Sequence, residues 1–149
     1  MQTPVTTLLG RKTSSALRSL PPSATVADAV RLMNAHRLGS VLVLAEGWLA
    51  GIFTERDVLT RVVGMGRDPR TTPLADVMTR NPMTVPPTAT VEEVMEIITA
   101  RRVRRLPVVD ATGAIMGVLS IGDVTRWLVD THRAEAEHLR KYIGTATPF

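Results

Sequence analysis

The 149 residues contain no cysteine. No disulfide can staple this chain, and cysteine zinc sites, thiol nucleophiles and iron–sulfur clusters are excluded with it. Aromatic side chains are almost as scarce. Trp48, Phe53, Trp127, Tyr142 and Phe149 are all there are, 3% of the chain, so the core must be aliphatic and no stacking platform for single-stranded nucleic acid can be assembled. No uncharged apolar run approaches the ~20 residues of a membrane-crossing helix; the longest, Val41 to Ala45, is the length of a strand. The opening residues place no basic stretch ahead of an apolar one, so a signal peptide is not expected and a soluble cytoplasmic protein is. What the chain has is apolar content, 44%, enough to fold without disorder. Its 18 Lys+Arg against 14 Asp+Glu leave a net charge of +4, a mild bias toward an anionic partner.

The chain repeats itself. Pro21-Pro22-Ser23-Ala24-Thr25-Val26 returns 65 residues later as Pro86-Pro87-Thr88-Ala89-Thr90-Val91, and the match runs on through Ala35/Ala100, Arg37/Arg102 and Val43/Val108. After one inserted residue, Gly51-Ile52-Phe53-Thr54-Glu55-Arg56-Asp57-Val58 aligns with Gly117-Val118-Leu119-Ser120-Ile121-Gly122-Asp123-Val124. Identities in one order with a single gap identify a tandem duplication.

Each copy reads alike. Thr25 or Thr90 caps an amphipathic helix whose apolar face is Val26, Ala29, Val30 and Met33, or Val91, Val94, Met95 and Ile98. A strand follows (Val41–Leu44; Leu106–Val109), then a polar turn, a second strand (Leu49–Phe53; Ile115–Leu119) and a helix beginning at Thr54 or Ser120. With Ser19–Leu20 and Thr84–Val85 as short strands, the unit is β-α-β-β-α, and Leu74–Met78 is a short linking helix. The expected fold class is therefore α/β (α+β): two repeats packed as a pseudo-two-fold pair, because a half of this size has a marginal core alone. The expected boundaries are an N-terminal extension (1–18), a first repeat (19–66), a linker with a short helix (67–82), a second repeat (83–129) and a C-terminal helical tail (130–149).

The piece shared most fully by the copies is Gly-x-x-[Thr/Ser]-x-x-Asp, where a strand enters a helix. Gly51 and Gly117 permit a close approach to the strand. Thr54 and Ser120 stand at a helix start, where unpaired N–H groups and the helix dipole favour an anion. Asp57 and Asp123, in the first turn, can accept both hydroxyls of a ribose. Phosphate at the helix tip and ribose on a carboxylate together describe a nucleotide. The same Thr-x-x-Asp spacing is also that of a capping box, which needs no ligand at all.

A second signal is Arg101-Arg102-Val103-Arg104-Arg105, directly before the central strand of the second copy. Such a run is either a solvated face or a phosphate grip, for which the guanidinium fork is suited. The first copy has Gly39-Ser40 at the positions of Arg104 and Arg105, and Arg56 of the first motif is matched by Gly122. The two sites are thus unequal in charge. Catalysis is not expected. The only imidazoles are His36, His132 and His138, and repeat symmetry puts Asp57 and Asp123 in different sites, so they form no carboxylate dyad. A nucleic-acid binder using the Arg101–Arg105 run is the alternative, though it lacks a recognisable reading motif.

The duplicated motif, with the strand Leu106-Pro107-Val108-Val109-Asp110, resembles the CBS domain, named for cystathionine β-synthase. Two in tandem resemble a CBS pair, or Bateman module, over Leu20 to Val129. The resemblance implies a regulatory module, not an enzyme, that binds an adenosine-containing ligand (AMP, ADP, ATP, S-adenosylmethionine or NAD(H)) in clefts between the repeats and signals by a change of shape or of partner affinity. By position it puts Asp57 and Asp123 on ribose, Thr54 and Ser120 near phosphate or ribose, Leu20 and Val85 in the adenine pocket, and Arg104 and Arg105 on phosphate, with Arg56 and Pro107 in the same sites. It also implies a homodimer formed through helices; no membrane partner is expected, and nucleic acid stands only as the alternative above. The tail, helix-compatible from Val124 to Ile143, carries Trp127, Leu128, Leu139, Tyr142 and Ile143 on one broad side, available to its own domain or to a partner helix, with Gly144 as terminator.

Overall fold

The computed structural model describes residues 3–11 and 18–143. Gly144 and Phe149 lie outside the described residues. Contacts divide the chain into two compact units that do not coincide with the repeats. One comprises residues 1–12, 87–106 and 118–149; the other comprises 13–86 and 107–117.

The second of these units holds a four-stranded sheet in the order β1 (Ser19–Leu20), β2 (Ser40–Ala45), β3 (Trp48–Thr54), β4 (Thr79–Arg80). β1 runs parallel to β2 and the remaining pairs are antiparallel. Helix α2 (Val26–His36) covers it. Thr25 caps α2 as expected: its hydroxyl accepts from the Asp28 amide at 3.2 Å, and the Asp28 carboxylate accepts from the Thr25 amide at 3.1 Å. Val26, Ala29 and Met33 face inward and Val30 is half-buried, completing a core with Val41, Val43, Phe53, Val62, Leu74, Val77 and Met78. The helix that follows β3 is short and irregular. A single turn, α3 (Glu55–Asp57), widens into a π turn (Val58–Val62) and ends in a 3-10 turn (Val63–Met65). Helix α4 (Leu74–Val77) then leads into β4.

β4 was not foreseen from the sequence. Its Thr79 and Arg80 pair with Ile52 and Gly51, and a Cβ on Gly51 would lie 2.6 Å from the Thr79 carbonyl oxygen. The close approach that Gly51 permits is therefore made by the protein's own backbone.

The second repeat reproduces several features of the first. Helix α5 (Val91–Arg101) has a capping box between Thr90 and Glu93, with Val91, Val94 and Ile98 buried. Arg37 and Arg102, a repeat apart, both end their helices in the left-handed conformation, each at φ 54°. Leu20 pairs with Val43 and Val85 pairs with Val108, in the same parallel sense. Thr84–Val85 contributes that one bridge rather than a full strand. β5 (Arg105–Val109) and β6 (Ile115–Ser120) form a hairpin, whose turn is organised by Asp110. The Thr112 hydroxyl donates to its carboxylate at 2.6 Å, and with the amides of Ala114, Thr112 and Gly113 holds the carboxyl below its ordinary value, against the opposing effect of desolvation.

The last described element, α6, runs unbroken from Ile121 to Ile143. The expected division at residue 129 therefore falls within one helix. Trp127 and Leu128 are half-buried, whereas Leu139 is 56% exposed; the side chains of Tyr142 and Ile143 lie outside the description.

The N-terminal segment also has a defined place. Helix α1 (Val5–Arg11) packs against α6, and Pro4 bridges Thr90 just as Pro73 bridges Thr25. Two of the hydrogen bonds correspond. Val5 N–H donates to Ala89 at 2.9 Å where Leu74 N–H donates to Ala24 at 2.8 Å, and Val91 N–H donates to Thr3 where Val26 N–H donates to Thr72. Thr3-Pro4-Val5 is thus the counterpart of Thr72-Pro73-Leu74. The segment taken as an extension supplies the second repeat with the piece that the linker supplies to the first.

Candidate nucleotide site

Both strand-to-helix motifs adopt the same backbone. The first amide of each helix donates to the residue before the central strand: Glu55 N–H to the Gly39 carbonyl at 3.1 Å, and Ile121 N–H to the Arg104 carbonyl at 2.9 Å. This bond ties Arg104 to the start of α6, next to Ser120, while the first motif has glycine there. Each motif is also a true capping box. The Asp57 amide donates to the Thr54 hydroxyl at 3.2 Å and its carboxylate accepts from the Thr54 amide at 3.0 Å; the corresponding distances for Asp123 and Ser120 are 3.1 and 2.8 Å. The structural role weighed for these residues is therefore real, and any ligand role is added to it.

Beyond the cap, the first motif has partners of its own. Asp57 is 5% exposed. Its carboxylate accepts from the Thr54 hydroxyl at 3.2 Å and the Thr79 hydroxyl at 3.3 Å, and Arg61 Nε lies 3.6 Å away. Arg61 in turn donates to the Met78 carbonyl at 2.8 Å. Arg61 was legible in principle, being one helical turn beyond Asp57. Thr79 was not, because nothing local ties residue 79 to residue 57. At the position of Arg61 the second repeat carries Trp127.

Of the expected site residues, one unit contains Leu20, Thr54, Arg56, Asp57, Val85 and Pro107, and the other Arg104, Arg105, Ser120 and Asp123. Leu20 is half-buried, while Val85 and Pro107 are buried and joined, the Val85 amide donating to the Pro107 carbonyl at 3.0 Å. Arg56 and Arg104 are exposed; Arg105, Ser120 and Asp123 are half-buried. No group of residues suited to a metal ion occurs among the described residues, and no helix among them is long and apolar enough to cross a membrane.

The profile of the CBS domain matches residues 11–64 and 74–130. The chain belongs to the CBS-domain family. Among curated CBS proteins it is 41% identical over 124 residues to CBSX3, described as mitochondrial, of Arabidopsis thaliana, covering 80% of this chain and 60% of the relative. The chain thus spans less than two thirds of that relative's length. The solved CBS-domain structure NE2398 is 32% identical with a TM-score of 0.80, covering 87% of this chain and 99% of that one. PAE2072 of Pyrobaculum aerophilum, a CBS-domain protein solved in complex with AMP, is 27% identical with a TM-score of 0.70, covering 80% and 88%. The matched segments are the two copies read from the sequence, so the tandem CBS arrangement expected there is shown. The first match begins at residue 11, ahead of the expected boundary at 19.

Proposed function

We propose that this protein is a regulatory module that binds an adenine nucleotide (AMP, ADP, ATP or NAD(H)) at its duplicated strand-to-helix motif and reports the bound state by a change of shape or of partner affinity. The observation that carries the reading is the start of α6. A cap hydroxyl, Ser120, and a first-turn carboxylate, Asp123, are held by reciprocal bonds, and Arg104 is tied beside them through its carbonyl. A hydroxyl and a carboxylate suited to ribose share this helix start, and the backbone bond to Arg104, a residue type suited to phosphate, supports the reading. The AMP complex of PAE2072 supports adenylate as the ligand class. Leu20 and Val85 are the apolar residues that the CBS resemblance assigns to adenine, with Pro107 in the same sites. Thr54, Arg56 and Asp57 hold the corresponding positions of the first motif.

A homodimer belongs to the same reading. Leu59, Val63 and Met65 are exposed on the turns after the first motif, and Val129 is exposed at the place in α6 equivalent to Val63. An exposed valine recurring at one equivalent position, with Leu59 and Met65 beside it in the first copy, suits the face of a second copy.

Thermal denaturation with AMP, ADP, ATP and NAD(H) tests the nucleotide reading. At least one is expected to raise the melting temperature with a Kd between about 1 μM and 1 mM, the range for reversible reporting at −8 to −4 kcal/mol. A melting curve unmoved by all four at millimolar concentration rejects it.

A further inference from the structure

The segment Thr3-Pro4-Val5 is held by the second repeat in the manner of a bound peptide. The Thr3 carbonyl accepts from the Val91 amide at 2.7 Å and the Val5 amide donates to the Ala89 carbonyl at 2.9 Å, one bond on either side of the antiparallel Pro4–Thr90 bridge. Bonds from the two flanking residues ask nothing of the middle one on this edge, so proline stands there without costing an N–H bond. The Pro4 carbonyl then accepts from the Thr7 amide at 3.1 Å, which opens α1. Two side chains anchor the segment, Val5 at 0% and Leu8 at 2% exposure, whereas Pro4, Thr6 and Thr7 are exposed. The groove adds an acceptor of its own. The Glu92 carboxylate takes the Thr3 amide at 3.3 Å, at a position where the first repeat has Ala27.

Helix α1 depends on this seat. Its seven residues include a valine, two threonines and a glycine, far short of the ~12–15 residues at which a helix is even marginal alone in water. It is joined to that seat only through the other unit, since residues 13–86 stand between it and residue 87, where its own unit resumes. Its counterpart Thr72-Pro73-Leu74 is held differently, within one unit that continues on both sides of it.

We propose that the second repeat carries a peptide-docking groove at the start of α5, and that residues 3–8 of this chain fill it as a separable insert. The groove suits an extended x-Pro-aliphatic segment followed by a helical turn with a second aliphatic group three residues on. Ala89 and Val91 supply the backbone pairing, Glu92 takes the incoming amide, and the burial of Val5 and Leu8 sets the aliphatic requirement. A second segment of this form enters only when the chain's own has left.

The full chain with a protease site inserted among residues 13–17, cut after folding, tests this against a fluorescein-labelled peptide of residues 1–12 followed by anisotropy. The peptide is expected to bind the cut protein and to bind the uncut one at least tenfold more weakly, because a tethered segment competes at an effective concentration near the millimolar range. Unlabelled parent peptide should displace it, and the Val5→Asp peptide should need at least about thirtyfold more. Equal binding to cut and uncut protein, or indifference to Val5→Asp, overturns the proposal. So does a cut protein that unfolds, or one that keeps its segment and never admits the peptide. Hydrogen exchange of the intact chain gives a reading independent of cutting. The amides of Val5 and Val91 should exchange together and at least about tenfold faster than those of Leu74 and Val26, their counterparts in the first repeat. Equal rates at all four mean that the segment leaves only when the protein unfolds, and overturn the separable insert.

Discussion

Val5→Asp is expected to destabilise the protein by about 3 kcal/mol or more, as severely as Leu74→Asp. Both positions are 0% exposed. Both follow a Thr-Pro pair, and both amides donate to the alanine before a helix-capping threonine, Ala89 or Ala24. A carboxylate at either site would be stripped of water. For a chain of this size each kcal/mol is about 2–4 °C of melting temperature, so both variants should melt roughly 10 °C lower, or fail to fold cooperatively. Thr7→Asp, on an exposed face of α1, is the control and should fall within about 0.5 kcal/mol of the parent. Were the N-terminal segment a mere appendage, Val5→Asp would behave like Thr7→Asp while Leu74→Asp alone collapsed. Chemical denaturation of the three variants decides between these outcomes.

Removing the hydroxyl and carboxylate of the second motif together, Ser120→Ala with Asp123→Ala, is expected to weaken adenylate binding at least a hundredfold. Two charge-assisted hydrogen bonds at about 1.5–3 kcal/mol each account for that loss. The variant also loses a helix cap, for about 0.5–2 kcal/mol of stability, so its melting temperature without ligand will be lower. The quantity to compare is therefore the rise caused by ligand, not the melting temperature itself. The parent's rise should vanish in the variant at millimolar AMP. A rise that survives, scaled only by the lower starting stability, means these side chains cap the helix and do nothing more.

What could be read from the sequence was what is local or repeated. The capping threonines, the apolar faces of α2 and α5 and the central strands lie within a residue or so of their expected places, since each depends on spacing within a short window. The pairing of Leu20 with Val43, which recurs as Val85 with Val108, was read from the structure and not from the sequence. Three features escaped. β4 is two residues long and is specified by its pairing with Gly51 and Ile52, far from it in sequence. The role of α1 was hidden because Thr3-Pro4 precedes both repeats, whereas its counterpart Thr72-Pro73 lies between them; an alignment of consecutive copies passes over it. The engagement of Asp57 by Thr79 joins residues 22 apart, which no local pattern announces. The motif's two candidate roles, helix cap and sugar acceptor, could not be separated from spacing alone, since both use the same oxygens. The copies also differ in burial, Asp57 being buried and Asp123 half-buried.

The central claim is that a nucleotide sits at the start of α6. Titrating AMP into the isotope-labelled protein and following the backbone amide resonances tests it most directly. The amides of Ile121, Gly122 and Asp123, with those of Arg104 and Arg105, should shift most and saturate together. Shifts centred on Glu55 to Asp57, or none at either helix start while AMP demonstrably binds, would contradict it.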